Sequence, residues 1–319
     1  MAVMPTTNPA ADGGYLFATF RGEHSPLTEQ VHFVTSHDGR TWASLNDGRP
    51  VLISHVGEQG VRDPFLIRRR DGSGFVLIAT DCSIHRNPDW TRAVTAGSKS
   101  IVIWESNDLV RWSAPRLEKI APNDAGCTWA PEAAFDEATH EYIVFWASTC
   151  ARDRFSKHRI WASRTKDFAH FSEPFLYIDR QTAVIDTTII AENGAYYRFT
   201  KDEEHKTIAA ETSERLDGPW RVISEFSLAK MAGFEGPACF PMRDELGTEV
   251  WCLLLDHYAR GEGYKPFVTT NLAGGQFEPA SGFSFPYRLR HGSVLQVTAN
   301  ELDSLTRAFP STAHSPTSS

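Results

Sequence analysis

Residues 60–81 read GVRDPFLIRRRDGSGFVLIATD. Asp63-Pro64 stands just ahead of a short apolar run, RDGSG supplies a hairpin turn, and a second apolar run ends on Asp81. Both runs are rich in Phe, Leu, Ile and Val, as buried strands are. A carboxylate at the mouth of a buried strand is costly unless a partner or a task compensates it. Whether Asp63 is a turn residue or a site residue depends on whether the pattern occurs once or returns.

It returns. One turn occurs five times: TSHDGRTW ending at Trp42, ESNDLVRW at Trp112, RTKDFAHF at Phe171, TSERLDGPW at Trp220 and TTNLAGGQF at Phe277. Each leaves an apolar strand on Ser or Thr and enters the next strand on an aromatic, with Asp, Asn or Gly turn chemistry between. The copies lie roughly 50–70 residues apart, the length of a propeller blade. Upstream of each turn is one strand (VHFVT, IVIWE, RIWAS, TIAAE, PFVTT), and upstream of that a stronger one (YLFATF, FVLIAT, YIVFWAS, YYRFTK, WCLLLD). A third set precedes four of these pairs: DPFLIRR, PEAAFD, DTTIIAE and GPACFPM. The N-terminal repeat lacks its first strand, and RHGSVLQV at 290–297 can supply it. The reading is all-β: a five-bladed β-propeller of four-stranded antiparallel blades, closed by pairing a C-terminal strand with the N-terminal blade. Closure removes exposed sheet edges. A pair of β-sandwiches would not need five copies of one turn. The domain division is a flexible N-terminus at 1–14, a propeller at 15–304 and a disordered, polar tail at 305–319.

Bulk composition narrows the function. A net charge of −8 excludes a general nucleic-acid binder, which needs a basic patch. No run approaches the roughly 18 apolar residues of a membrane span, and the N-terminus has neither a basic nor an apolar signal region, so a cytoplasmic location without membrane partners is expected. Five scattered cysteines without a CxxC pair read as reduced thiols. Nine tryptophans suit sugar contact, although packing between β layers accounts for most such aromatics.

In a propeller, the first strand of each blade lines the central channel. Aligning those strands puts Asp63, Glu132, Asp186, Glu235 and His291 at their heads, so four carboxylates and an imidazole converge on one end of the channel. Turn capping, or pairing with Arg62, Arg290 and Lys201, could explain one of them. A repeated ring of carboxylates marks a functional site more strongly than a stability device.

The order RDP, WAPE, VIDTT, FEGP, RHG resembles glycoside hydrolase family 43, the five-bladed arabinofuranosidases and xylosidases, over about residues 15–297. The resemblance implies Asp63 as general base, Asp186 as the residue that tunes and orients the acid, and Glu235 as general acid. The family commonly has WAPD where this chain has WAPE, so Glu132 is assigned a supporting or substrate-binding role. His291 matches a channel histidine that can hold a metal through waters. No cofactor is required by this reading, and a calcium in the channel suits the position better than zinc, for which ligand spacing is lacking. Acid and base must have separated pKa values and, for inversion, lie roughly 6.5–9.5 Å apart. Asp63 beside Arg62 is expected to stay ionised, and Glu235, flanked by Phe234 and Pro237 and facing Asp186, is expected to have a raised pKa.

Further substrate contacts are assigned to Trp129, Arg62, Arg290, Phe65, Trp90 and His257, with Trp129 as the platform under the sugar. The long 81–100 connection, carrying His85 and Trp90, is placed to wall the pocket. A second ring, Asp81, Asp202 and Asp256, ends the second strands on the same face, and at least one is expected to meet Arg62, Arg290 or a sugar hydroxyl. The predicted function is an inverting, exo-acting hydrolase releasing terminal α-L-arabinofuranose from an oligo- or polysaccharide. β-Xylosidase and β-galactose-releasing activities are the alternatives within the fold. A non-catalytic sugar-binding propeller is the alternative outside enzymology. A fructan hydrolase lacks its Asn-Asp-Pro motif here, and a WD-type scaffold lacks its repeat signature.

Overall fold

The structure, a computed structural model, describes residues 13–311. Among these residues the strands form five antiparallel sheets of four. Blade 1 is Gly292–Val297, Gly14–Thr19, His32–Ser36 and Ala43–Ser44, so both ends of the propeller chain meet in it. The closing pair runs in unbroken register from Gly14↔Val297 to Thr19↔Gly292. Blade 2 is Val61–Arg68, Phe75–Asp81, Ser100–Ser106 and Arg116–Lys119. Blade 3 is Trp129–Asp136, Glu141–Ser148, Arg159–Thr165 and Phe175–Ile178. Blade 4 is Val184–Glu192, Ala195–Asp202, Thr207–Ser213 and Arg221–Val222, and blade 5 is Glu235–Arg243, Glu249–Asp256, Tyr264–Thr269 and Glu278–Pro279. Each first strand touches the first strand of the next blade around the ring.

The apolar strands alternate between two cores. In Phe75–Asp81, Phe75, Leu77 and Ala79 enter the core shared with blade 1, while Val76 and Ile78 enter the core shared with blade 3. Period-2 alternation therefore buries both faces, which is why FVLIAT reads as continuously apolar. Similar apolar clusters fill the spaces between blades 3 and 4, 4 and 5, and 5 and 1.

The repeated turn has one physical basis. In blade 1, the Ser36 hydroxyl accepts the Gly39 amide, Asp38 accepts the Arg40 and Thr41 amides, and the Trp42 indole donates to the Gly39 carbonyl at 3.1 Å. Ser106, Asp108 and Trp112 repeat this in blade 2. Thr165 and Asp167 do so in blade 3. The side chains satisfy amides that the turn removes from the ladder.

The C-terminal boundary differs from expectation. A helix spans Ala299–Ala308 instead of the polar tail beginning at 305. Thr298 and Glu301 form a reciprocal capping box, and Glu301 also pairs with Arg68. Leu302 and Leu305 are buried in the blade 1–blade 2 core, with Phe309 packed against it. Residues 1–12 and 312–319, the rest of the two expected flexible ends, lie outside the described residues.

Leu305 is fully buried, whereas Leu246, on a blade 5 hairpin, is 91% exposed. Leu305→Ala should lower the unfolding free energy by about 2–5 kcal/mol, and Leu246→Ala should change it by no more than about 0.5 kcal/mol. Denaturant titration of both variants checks this; equal effects would mean that the helix does not close the core.

Candidate active site

The heads of four first strands share an irregularity that the sequence alignment did not capture. The ladder slips between Arg62 and Phe65, Trp129 and Glu132, Ile185 and Thr187, and Glu235 and Ala238. At each slip one residue has positive φ: Asp63 at 49°, Ala130 at 46°, Asp186 at 49° and Gly236 at 55°. These are β-bulges, which bend a strand and re-aim its side chains. Asp tolerates this conformation better than most non-glycine residues, though at a cost. Proline follows the bulge at Pro64, Pro131 and Pro237, where a missing N–H is no loss to the ladder.

The bulges correct the expected ring. Asp63 and Asp186 are equivalent, but Glu235 stands one residue before its bulge, level with Arg62, Trp129 and Ile185. Glu132 stands two residues after, level with Phe65, Thr188 and Ala238. The carboxylates therefore occupy three tiers instead of one.

His291 gathers them. Its Nδ1 lies 3.5 Å from Asp63 Oδ1 and 3.7 Å from Asp186 Oδ1, and its Nε2 lies 3.9 Å from Glu132 Oε1. Burial opposes charge on the ring, yet Asp186, Asp63 and Glu132 together raise its pKa well above that of free imidazole. Burial would likewise raise Asp63, but hydrogen bonding and charge from His291, with Arg62 beside it, bring its carboxyl below the ordinary value. Asp186 is lifted to about 6, by burial first, with His291 opposing and the Glu235 charge adding. Glu132 is lifted to about 7 by burial against the pull of His291, and its Oε2 has no hydrogen-bond partner. Asp186 Oδ2 accepts the Gly236 amide at 3.1 Å, which ties it to the residue after Glu235. Asp63, Asp186 and Glu235 are thus brought together.

The surroundings of Glu235 are not those that its flanking Phe234 and Pro237 suggested. Lys201 Nζ donates to its Oε2 at 2.9 Å and Arg290 to its Oε1 at 2.8 Å. Lys201 is itself buried, pairs with Glu203 at 2.7 Å and lies under the Tyr258 ring. Arg290 also donates to Asp256 at 2.7 Å, so this member of the second ring meets the expected arginine. Asp81 and Asp202 instead secure loops, accepting the Glu58 amide and the Glu204 and His205 amides respectively. A cation held directly at His291 does not fit. Among the described residues no group of three His, Cys, Asp or Glu side chains is disposed as a ligand set. Both ring nitrogens, moreover, already face carboxylates.

Residues 11–303 match the family 43-related model described as "Probable glycosyl hydrolase domain". The chain belongs to the family 43-related glycosyl hydrolases. Over 317 residues it is 28% identical to an alpha-L-arabinofuranosidase of Bifidobacterium longum, covering 85% of this chain. The chain spans 29% of that relative's length. It superposes with a TM-score of 0.55 on an endo-1,4-beta-xylanase from Bacteroides thetaiotaomicron, at 12% identity over 89% of this chain and 94% of that one. An exo-beta-1,3-galactanase from Clostridium thermocellum gives a TM-score of 0.52 at 13% identity, over 72% and 51%. These two likenesses show a shared fold.

In this family 43-related chain the 81–100 connection lies against the mouth. Glu29, fully buried and not anticipated from sequence, accepts the Ser83 hydroxyl and the Ile84 and His85 amides, and pairs with Arg62 at 3.2 Å. Arg62 also pairs with Glu23 and lies over Phe20 and Trp90. A short helix, Trp90–Thr95, is capped by Asp89 and tied down by the paired Glu58 and Arg92. Trp90 meets Trp129 edge-on at 6.1 Å. The expected platform, Trp129, is covered by His158 stacked at 4.9 Å, so Trp90, 48% exposed, is the more open ring. His257 stacks on Phe234 at 4.2 Å. Phe65 packs against the blade 2–blade 3 core, an expected sugar contact that the structure places in packing.

Two outcomes follow from this geometry. A Cβ added at Gly236 would meet His291 Cγ at 2.8 Å in a conformation that disfavours side chains, so Gly236→Ala should cost activity roughly tenfold or more. Steady-state rates check it, and wild-type rates would show that His291 can shift freely. The second concerns Glu132. Between its unfolded value of 4.5 and its folded value of about 7 the folded protein keeps a proton the unfolded chain has released, so Glu132 lowers stability as pH rises through that window. Glu132→Gln lacks this loss. Its thermal midpoint should gain on wild type by about 2 °C or more between about pH 5 and 8, and a pH-independent difference would contradict the assignment.

Proposed function

We propose that the chain is an inverting, exo-acting hydrolase that releases terminal α-L-arabinofuranose, with Asp63 as base, Glu235 as acid and Asp186 as the residue that tunes and orients the acid. The observation that carries this reading is the convergence of Asp63 and Asp186 on His291, with Asp186 bonded to the amide that follows Glu235. The relative's name, alpha-L-arabinofuranosidase, supports the choice of sugar. The 81–100 connection, with its helix held over one side of the mouth, supports exo action, since an endo enzyme needs an open cleft.

In this mechanism Asp63, kept ionised by His291 and Arg62, takes a proton from water. The water oxygen attacks the anomeric carbon from the face opposite the leaving group. The glycosidic C–O bond breaks as Glu235 gives its proton to the departing oxygen. The Glu235 charge contributes to the raised pKa of Asp186, which stands beside it through the Gly236 amide. Lys201 and Arg290 fix where the Glu235 carboxyl stands, which supplies the orientation that proton transfer needs. The rival reading, a sugar-binding propeller without catalysis, needs neither an ionised Asp63 nor a gripped Glu235.

The test is turnover of 4-nitrophenyl α-L-arabinofuranoside against the β-D-xyloside and β-D-galactoside, with the first product anomer followed by proton NMR. The arabinofuranoside should be cleaved fastest, with inversion. Glu235→Gln should lower kcat on an oligosaccharide by roughly 10²–10⁴ while sparing the nitrophenyl substrate, whose leaving group needs no proton. Asp63→Asn should disable both. Faster xyloside or galactoside cleavage would replace the sugar, retention would replace the mechanism, and binding without turnover of any glycoside would establish the rival.

A further inference from the structure

The Thr80 hydroxyl joins two blades at the channel mouth. It accepts the Ala130 amide at 2.8 Å and donates to Asp63 Oδ2 at 2.9 Å. Thr80 is buried, in the second strand of blade 2, two residues from Ile78, the first regular ladder partner beyond the Asp63 bulge. Ala130 is the bulge residue of blade 3. A hydroxyl has one proton. Because the Ala130 N–H already points at the oxygen, that proton is directed away from blade 3 and onto Asp63. The other carboxylate oxygen, Oδ1, faces His291. Asp63 is therefore held at both oxygens, from its own blade and from the residue just ahead of the closing strand, on a backbone kept in an uncommon conformation by its bulge.

We propose that Thr80 is a positioning residue for the base: it fixes the rotation of the Asp63 carboxylate, and through Ala130 it makes that rotation depend on the seating of blade 3 against blade 2. The proposal rests on the reading of Asp63 as the base. A general base must meet its water within hydrogen-bond reach and in line with the reacting carbon, so a carboxylate free to rotate loses rate without losing substrate affinity. Neither Thr80 nor Ala130 touches the sugar in this scheme. Valine at position 80 keeps the shape and removes the hydroxyl, serine keeps the hydroxyl and removes the methyl, and alanine removes both.

The experiment measures kcat and KM on 4-nitrophenyl α-L-arabinofuranoside, or on whichever nitrophenyl glycoside of the panel is cleaved fastest, for wild type, Thr80→Val, Thr80→Ala and Thr80→Ser. Asp63→Asn is the reference arm, and thermal midpoints are recorded for all five. Thr80→Val and Thr80→Ala should lower kcat about tenfold with KM within twofold of wild type. Thr80→Ser should return kcat to within about threefold, whatever its midpoint. If Thr80→Val does not fold, Thr80→Ala carries the comparison with Thr80→Ser. Unchanged kcat without the hydroxyl overturns the proposal. So does a Thr80→Ser loss as large as that of Thr80→Val, which would mean that packing, not the hydrogen bond, matters. Wild-type turnover by Asp63→Asn removes the base assignment itself, and the proposal with it. A disabled Asp63→Asn beside a fully active Thr80→Val removes Thr80 alone.

Discussion

Three carboxylates share the buried head of this channel because His291 stands among them as a cation. Without that charge, Asp63, Asp186 and Glu132 would repel one another where water cannot screen them. With it, Asp63 is drawn below the ordinary carboxylate range, while burial still holds Asp186 and Glu132 above it against the pull of His291. Burial and the His291 charge thus leave groups of the same chemistry on opposite sides of the ordinary carboxylate value. The bulges make this possible by turning Asp63 and Asp186 out of the ladder toward the axis, at the cost of left-handed backbone. Each bulge is stitched to its neighbour. Ser293 binds Leu66 and Pro64, Thr80 binds Ala130 and Asp63, Asp186 binds Gly236, and the Tyr264 hydroxyl binds Gly236 and Gly292.

Much of the architecture was legible because it is written in side chains that act locally. The Ser/Thr, Asp and Trp of each turn bond to backbone within a few residues, so five copies appear as five similar strings. The WCLLLD and FVLIAT strands read as buried because both faces enter cores. The bulges were harder to read. Each inserts only one residue or so, and the one visible trace, proline after the bulge in RDP, WAP and EGP, falls in three blades but not in VIDTT. Aligning the carboxylates by type instead of by that proline placed Glu132 and Glu235 in the wrong tier. The surroundings of Glu235 were misjudged for a different reason. Phe234 and Pro237 are its neighbours in sequence, but Lys201 and Arg290 reach it from distant parts of the chain, and no local pattern says which carboxylate they meet. The C-terminal helix was masked by polar composition, since it buries only Leu302 and Leu305 along one narrow stripe.

The two faces of the propeller treat charge differently. On the hairpin between the first two strands of blade 2, Arg68, Arg69 and Arg70 look like a basic run, yet each has its own acid: Glu301, Glu105 and Glu137. These exposed or half-exposed pairs contribute little stability and leave no basic surface. At the mouth, Arg62 with Glu29, Lys201 with Glu235 and Arg290 with Asp256 are buried or nearly so, where breaking one partner is expensive. The same residue types therefore act as surface solvation on one side and as scaffolding for reactive groups on the other.

The closing strand has a consequence for biosynthesis. His291 precedes Gly292–Val297, the strand that completes blade 1 by pairing with Gly14–Thr19. A ribosome releases Asp63, Glu132 and Asp186, on blades 2 to 4, before it releases the imidazole that stands among them. The strand that closes the ring is therefore also the one that brings His291 to the three acids, so ring closure and assembly of the reactive centre are coupled.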